Sequence, residues 1–151
     1  MKTVTVQSLP DYNYAVLVND GRHAWVSDEP KDAEGDDLGP SPHELLLSAL
    51  GSCTAITLLM YARRKQWALE EISVQLTHDR VPAADCADCT EEERNAAGPN
   101  GRIEIIRVDI SVRGALDAEQ TACLREIADR CPVHRTLTTP PKIVSSILAG
   151  A

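Results

Sequence analysis

Along residues 3–27 apolar and polar side chains partly alternate, the two-residue period of extended chain, and segments 3–8, 13–19 and 22–27 are expected to form three short strands. Between the second and third, Asp20-Gly21 offers residues that tolerate positive φ, so a type I′ turn is predicted to fold one strand onto the other. A polar stretch containing acids, glycine and proline runs from Asp28 to Pro40 and reads as a loop, either mobile or lining a site. The pattern then changes. Ser41 suits a helix cap, Pro42 the first helical position, and Glu44, three residues after Ser41, completes a capping box. From Leu45 to Met60 nearly every residue is apolar or small, which is more than one face and implies a helix buried on most sides. Arg63-Arg64-Lys65 complements the negative end of the helix dipole, so the helix is expected to span residues 42–66.

Strand alternation returns over 72–78 and 102–112, separated by a loop over 81–101 that contains cysteine, proline and glycine. Asp117 with Gln120 opens a second amphipathic helix, which should stop at Arg130-Cys131 because the residue before Pro132 is pushed out of the α region. A short helix over 132–137 and a last strand over 142–148 complete the reading. The expected architecture is one α+β domain, residues 1–151, with an antiparallel sheet packed on a long central helix. A helix apolar on nearly all sides needs more covering surface than one such chain supplies, so an obligate homodimer is expected.

Composition narrows the partners. Fifteen Lys and Arg against 23 Asp and Glu leave a formal charge of -8, which repels phosphate backbones and anionic lipid surfaces. Neither nucleic acid nor a membrane is an expected partner, and no unbroken run of 18 apolar residues is present to span a bilayer. The N-terminus shows no apolar signal region, so a cytoplasmic location is expected. Five cysteines, an odd number in such a chain, point to thiol chemistry or metal binding rather than to a secreted disulfide framework.

Cys53 lies in Ala49-Leu50-Gly51-Ser52-Cys53-Thr54-Ala55, a patch of small residues on the apolar helix that lets another backbone come close. From this segment alone it is open to two readings, a packed inert thiol or a reactive one; the second requires a nearby cation or hydrogen-bond donors, for which Arg22 and His23 are the best candidates. Cys131 differs in kind. Just before Pro132 it occupies the cap region of a new helix, where backbone amides favour an anionic sulfur, and His134 is placed either to move protons there or to face solvent. Cys86-Ala87-Asp88-Cys89 is a lone CxxC in a loop: half a zinc site with His78, a redox pair, or a motif without chemical role. Cys123 reads as a packed thiol on the second helix.

The run from Gly39 through Glu44 to Thr54, followed 78 residues after Cys53 by Cys131-Pro132-Val133-His134-Arg135-Thr136-Leu137, resembles the OsmC/Ohr family. Asp28-Glu29-Pro30 and Tyr61-Ala62-Arg63-Arg64-Lys65 resemble its OsmC-like branch. The resemblance implies an intertwined homodimer and a cysteine-based peroxidase that uses no cofactor. In it Cys53 attacks a hydroperoxide and becomes a sulfenic acid, Cys131 resolves it as a disulfide, and a dithiol reductant resets the pair. It further implies an Arg that polarises thiolate and peroxide, matched by Arg22, and a Glu that holds the Arg, for which Glu44 is the candidate. The family's Glu stands ten residues before the cysteine, where this chain has His43. Glu44 stands nine before, a rotation of about 100° on a helix. Two further functions remain open: a ligand-binding or redox-sensing dimer without efficient turnover, and a metal-binding accessory protein built on Cys86 and Cys89.

Overall fold

In the computed structural model, which describes residues 2–147, the N-terminal strands are shorter than the alternation predicts: β1 is Thr5–Ser8, β2 Val16–Asn19 and β3 Ala24–Ser27. They form an antiparallel sheet in the order β1-β2-β3, with Val6 opposite Val18 and Val18 opposite Trp25. The β2–β3 turn departs from type I′. Asn19 pairs with Ala24, so the connection is four residues long, and of Asp20 and Gly21 only Gly21 has positive φ, at 87°. Asp20 contributes through its carboxylate instead, accepting the amides of Arg22 at 2.8 Å and His23 at 2.7 Å.

The acidic loop is organised by one buried carboxylate. Asp28, 2% exposed, accepts amide hydrogen bonds from Glu29, Asp36 and Leu38 at 2.8, 3.0 and 3.2 Å, and a turn of 3-10 helix, Lys31–Ala33, lies inside the loop. At its end the Ser41 amide and hydroxyl donate to the Glu44 carboxylate at 2.7 and 2.9 Å, while the Ser41 hydroxyl oxygen accepts the Glu44 amide at 3.4 Å. This is the capping box that the sequence predicts. Helix α1 follows as Pro42–Lys65 and ends at Gln66, which takes the left-handed conformation with φ of 56°.

The chain forms two compact units, up to residue 49 and from residue 50 onward. In the second unit α1 buries Leu50, Gly51, Thr54, Leu58 and Ala62, mostly one residue per turn on a single stripe, and leaves Ile56 and Met60 exposed at 55% and 67%. Within a single chain the helix is therefore buried along one stripe and not on most sides, because one hairpin and one helix cannot wrap a cylinder. By length and composition α1 is also apolar enough to cross a membrane, with mean hydropathy 1.8 over its best window. An expectation based on unbroken apolar runs misses this because Ser, Gly and Thr interrupt the run without adding charge.

Strands β4, Ala68–Pro82, and β5, Arg102–Ala115, form a long antiparallel hairpin with an irregularity between Leu69 and Glu71. They outrun the predicted spans at both ends of β4 and at the end of β5. Opposed pairs Ile72–Val112, Val74–Ile110 and Leu76–Val108 line one face. That face meets α1 where Gly51 has no side chain: a Cβ there would lie 2.6 Å from the Leu76 methyl Cδ1. The connection from 83 to 101 is not all loop, since α2, Glu91–Asn95, begins with a capping box between Thr90 and Glu93. The core joins α1 to α3, Ala118–Ala128, through Leu58, Leu124, Ile127 and Ala128, with Tyr61, Trp67, Ile72 and Ile110 packed against it. Asp117 and Gln120 cap α3 reciprocally as predicted, and α4 runs Pro132–Thr138. The expected last strand is absent over 142–147; Leu148 lies outside the described residues.

Candidate active site: a cysteine pair beside an aliphatic cleft

Helix α3 ends at Ala128, and the residue before Pro132 is disfavoured from the α region. Cys131 accordingly sits in extended backbone, φ -56° and ψ 130°, with Pro132 opening α4. This break swings the Cys131 sulfur into the interior, where it is fully buried, and the Cys53 and Cys131 thiols hydrogen-bond each other. Two residues 78 apart in sequence thus share one site. Cys53 is half-buried, and both thiols are free.

The pair carries one charge more readily than two. Burial pushes the Cys131 thiol up, but donation from the Cys53 thiol, from the His134 amide, from the Thr54 hydroxyl and from the Val133 amide outweighs it and holds Cys131 below the ordinary cysteine value. Cys53 moves the other way. Burial and the proximity of the Cys131 sulfur push it up, against the Val133 amide and Thr57. The Thr57 hydroxyl also donates to the Cys53 carbonyl at 2.7 Å, which holds that turn of α1. Within the pair a negative charge is therefore favoured on the buried sulfur over the accessible one.

Beside the pair runs a cleft of about 660 Å³. One wall is aliphatic, formed by Ile103, Ile105, Val108 and Ile110 of β5; across it stand Leu50, Ala128 and Leu137, with Thr54, Arg125 and His134 as polar points. The His134 ring nitrogen Nδ1 lies 2.8 Å from the Asp129 carbonyl, which makes Nδ1 the donor and orients the ring. Thr54 is the residue whose role the sequence reading missed: a buried threonine within an apolar helical stripe has a hydroxyl that must find a partner, and that partner is Cys131.

Each remaining candidate has its own local setting. Arg22 belongs to the β2–β3 turn and is exposed, and His23 beside it approaches Asp20 at 3.2 Å. The Glu44 carboxylate serves the cap of α1 through Ser41. Cys86 and Cys89 are joined as a disulfide, and among the described residues no group of three His, Cys, Asp or Glu is placed to hold a metal ion. His78 instead faces Glu104 at 3.7 Å. Cys123 packs against the core and meets the Tyr61 hydroxyl at 3.3 Å.

The sequence profile of the OsmC-like protein family matches residues 35–146, a span that includes both site cysteines, and the chain belongs to that family. Solved structures give the same fold. An OsmC-like protein from Mycoplasma pneumoniae is 18% identical with a TM-score of 0.69, over 93% of this chain and 89% of that one. An organic hydroperoxide resistance protein OsmC from Legionella pneumophila is 14% identical with a TM-score of 0.63, over 92% and 90%. The organic hydroperoxide resistance protein OhrB of Bacillus subtilis is 15% identical with a TM-score of 0.59, over 93% and 92%. No curated protein matches the chain.

Proposed function

We propose that the protein is a thiol-dependent peroxidase that reduces organic hydroperoxides in oxidative-stress defence in the cytoplasm. The observation that carries this reading is the contact between two free thiols, one reachable and one buried with its anion stabilised, at the side of an aliphatic cleft. Names of structural relatives that describe organic hydroperoxide resistance agree with it.

The chemistry follows from the charge distribution. Transfer of the Cys53 proton to the Cys131 sulfur, along the hydrogen bond between them, leaves the thiolate on the sulfur that a peroxide can reach. Cys53 attacks the nearer oxygen of the O–O bond and becomes a sulfenic acid, and the alkoxide leaves as the alcohol after taking a proton. The Cys131 thiol then attacks the sulfenic sulfur, water departs, and the disulfide forms. Two electrons from a dithiol restore both thiols. The family resemblance assigns Arg22 the task of favouring the Cys53 thiolate; slower alkylation of Cys53 in Arg22→Ala would support that assignment, and unchanged kinetics would remove it.

A homodimer is part of this proposal, with the exposed α1 face that carries Ile56 and Met60 as the surface it covers. One observation favours a slower, ligand-binding or sensing protein: the Glu44 carboxylate already accepts both Ser41 donors through Oε2 and serves the cap of α1. Turnover decides between the two. Dithiol-dependent consumption of cumene hydroperoxide at many equivalents per chain, abolished in Cys53→Ser, is expected; one equivalent and no more would favour the sensor.

A further inference from the structure

We propose that Cys86 and Cys89 form a second redox centre on the wall of the cleft, which passes two electrons to the Cys53–Cys131 disulfide and is itself reset by an external dithiol. The proposal rests on the peroxidase reading and extends it by naming where the electrons enter.

Three observations carry it. The first is placement: Cys89 lines the same cleft as His134 and as Thr54, whose hydroxyl contacts Cys131. It does so from the connection between β4 and β5, immediately before the Thr90 cap of the five-residue α2. The second is accessibility. Cys89 is half-buried and Cys86 is 2% exposed, the division into a reachable and a shielded sulfur that the Cys53–Cys131 pair also has. The third is charge. Asp85, Asp88, Glu91, Glu92 and Glu93 surround the CxxC in sequence. Apart from Asp88, which faces Arg107 at 3.9 Å, these carboxylates would oppose negative sulfur there, which disfavours the reduced pair relative to its disulfide. The nearby guanidinium of Arg94 is committed to the Cys86 carbonyl, at 2.8 and 3.2 Å. At Cys131 the opposite holds, because amides and a hydroxyl stabilise the reduced form. A couple whose reduced form is stabilised is the better oxidant, so electrons run from Cys86 and Cys89 toward Cys53 and Cys131.

The exchange balances in two steps. The Cys89 thiolate attacks the reachable Cys53 sulfur, the Cys53–Cys131 bond breaks, and Cys131 leaves as the stabilised thiolate, giving a Cys89–Cys53 mixed disulfide. The Cys86 thiolate then attacks Cys89, and Cys53 departs and takes up a proton. Two thiols are oxidised and one disulfide is reduced; of the two protons released by Cys86 and Cys89, one is taken up by Cys53 and the other passes to solvent while Cys131 remains the thiolate. A small dithiol such as dithiothreitol, or a protein dithiol, reduces Cys86–Cys89 in the same way.

The test uses the full chain, fully reduced, freed of reductant and treated with one equivalent of cumene hydroperoxide before acid quenching and disulfide mapping. The expected result is Cys86–Cys89 as the disulfide with Cys53 and Cys131 as thiols, and no oxidation at Cys86 or Cys89 in the Cys53→Ser protein. In Cys86→Ser the mixed disulfide Cys89–Cys53 should accumulate. A Cys53–Cys131 disulfide that persists beside reduced Cys86 and Cys89 overturns the relay and leaves the peroxidase reading intact. Oxidation of Cys86 and Cys89 at the same rate in Cys53→Ser overturns the relay as well, since the peroxide would then act on them directly. Absence of oxidation at every cysteine overturns the peroxidase reading and the relay with it.

Discussion

In the proposed mechanism Thr54 and Cys131 set the reactivity of the site between them. With the hydroxyl removed in Thr54→Val, Cys131 loses one of the donors that hold its thiol down, and the pH at which the pair becomes alkylated by iodoacetamide should rise. In Cys131→Ser the neighbouring sulfur that pushes Cys53 up is gone while burial remains, so the Cys53 alkylation midpoint should fall relative to the parent. No change in either midpoint would mean that the two thiols titrate independently. Asp20 offers a separate check on local geometry. The amides of His23 and Arg22 lower its carboxyl from 3.8 to about 2. A depressed acid contributes its stability above the unfolded value, and that contribution is lost as pH falls from 3.8 through about 2. An NMR titration should show the Arg22 and His23 amides moving with a midpoint near 2, and Asp20→Asn should abolish that movement. A midpoint near 3.8 would contradict the turn geometry.

At the scale of elements, the α1–α3 contact is the part of the second unit most exposed to a single deletion. Leu58 is fully buried in that core, and Leu58→Ala should cost about 2–5 kcal/mol by urea denaturation, from lost transfer free energy and the cavity left behind. A cost under about 1 kcal/mol would mean the core is not packed as described. The elements legible in sequence were those with a local chemical signature: the Ser41–Glu44 and Asp117–Gln120 boxes, the proline break at Cys131, and the alternation in β4 and β5. Elements set by longer-range effects were not. The turn at Gly21 depends on the register of Asn19 with Ala24, which Asp-Gly alone does not fix. The strand expected near the C-terminus had apolar residues but no partner strand among the described residues, where Ile143, Val144 and Ile147 are exposed at 83%, 81% and 98%. Helix α2 carried a readable signal, Thr90 with Glu93, that the loop composition around it obscured. The two cysteines were identifiable as candidates, whereas their contact came only from the fold.

For the whole molecule, the apolar face left on α1 gives the dimer proposal its test. Sedimentation equilibrium at micromolar concentration should show a dimer, and Ile56→Asp, at an exposed position in the single chain, should lower its association by tenfold or more. A folded parent monomer under the same conditions would remove the dimer from the account. The central claim concerns chemistry, and Cys131→Ser tests it most directly. With the resolving sulfur absent, one equivalent of cumene hydroperoxide should be consumed and a sulfenic acid trapped by dimedone at Cys53, read by mass spectrometry. Trapping that requires Cys53, and disappears in the Cys53→Ser/Cys131→Ser protein, is the result the account predicts; hydroperoxide left unconsumed with Cys53 unmodified would contradict it.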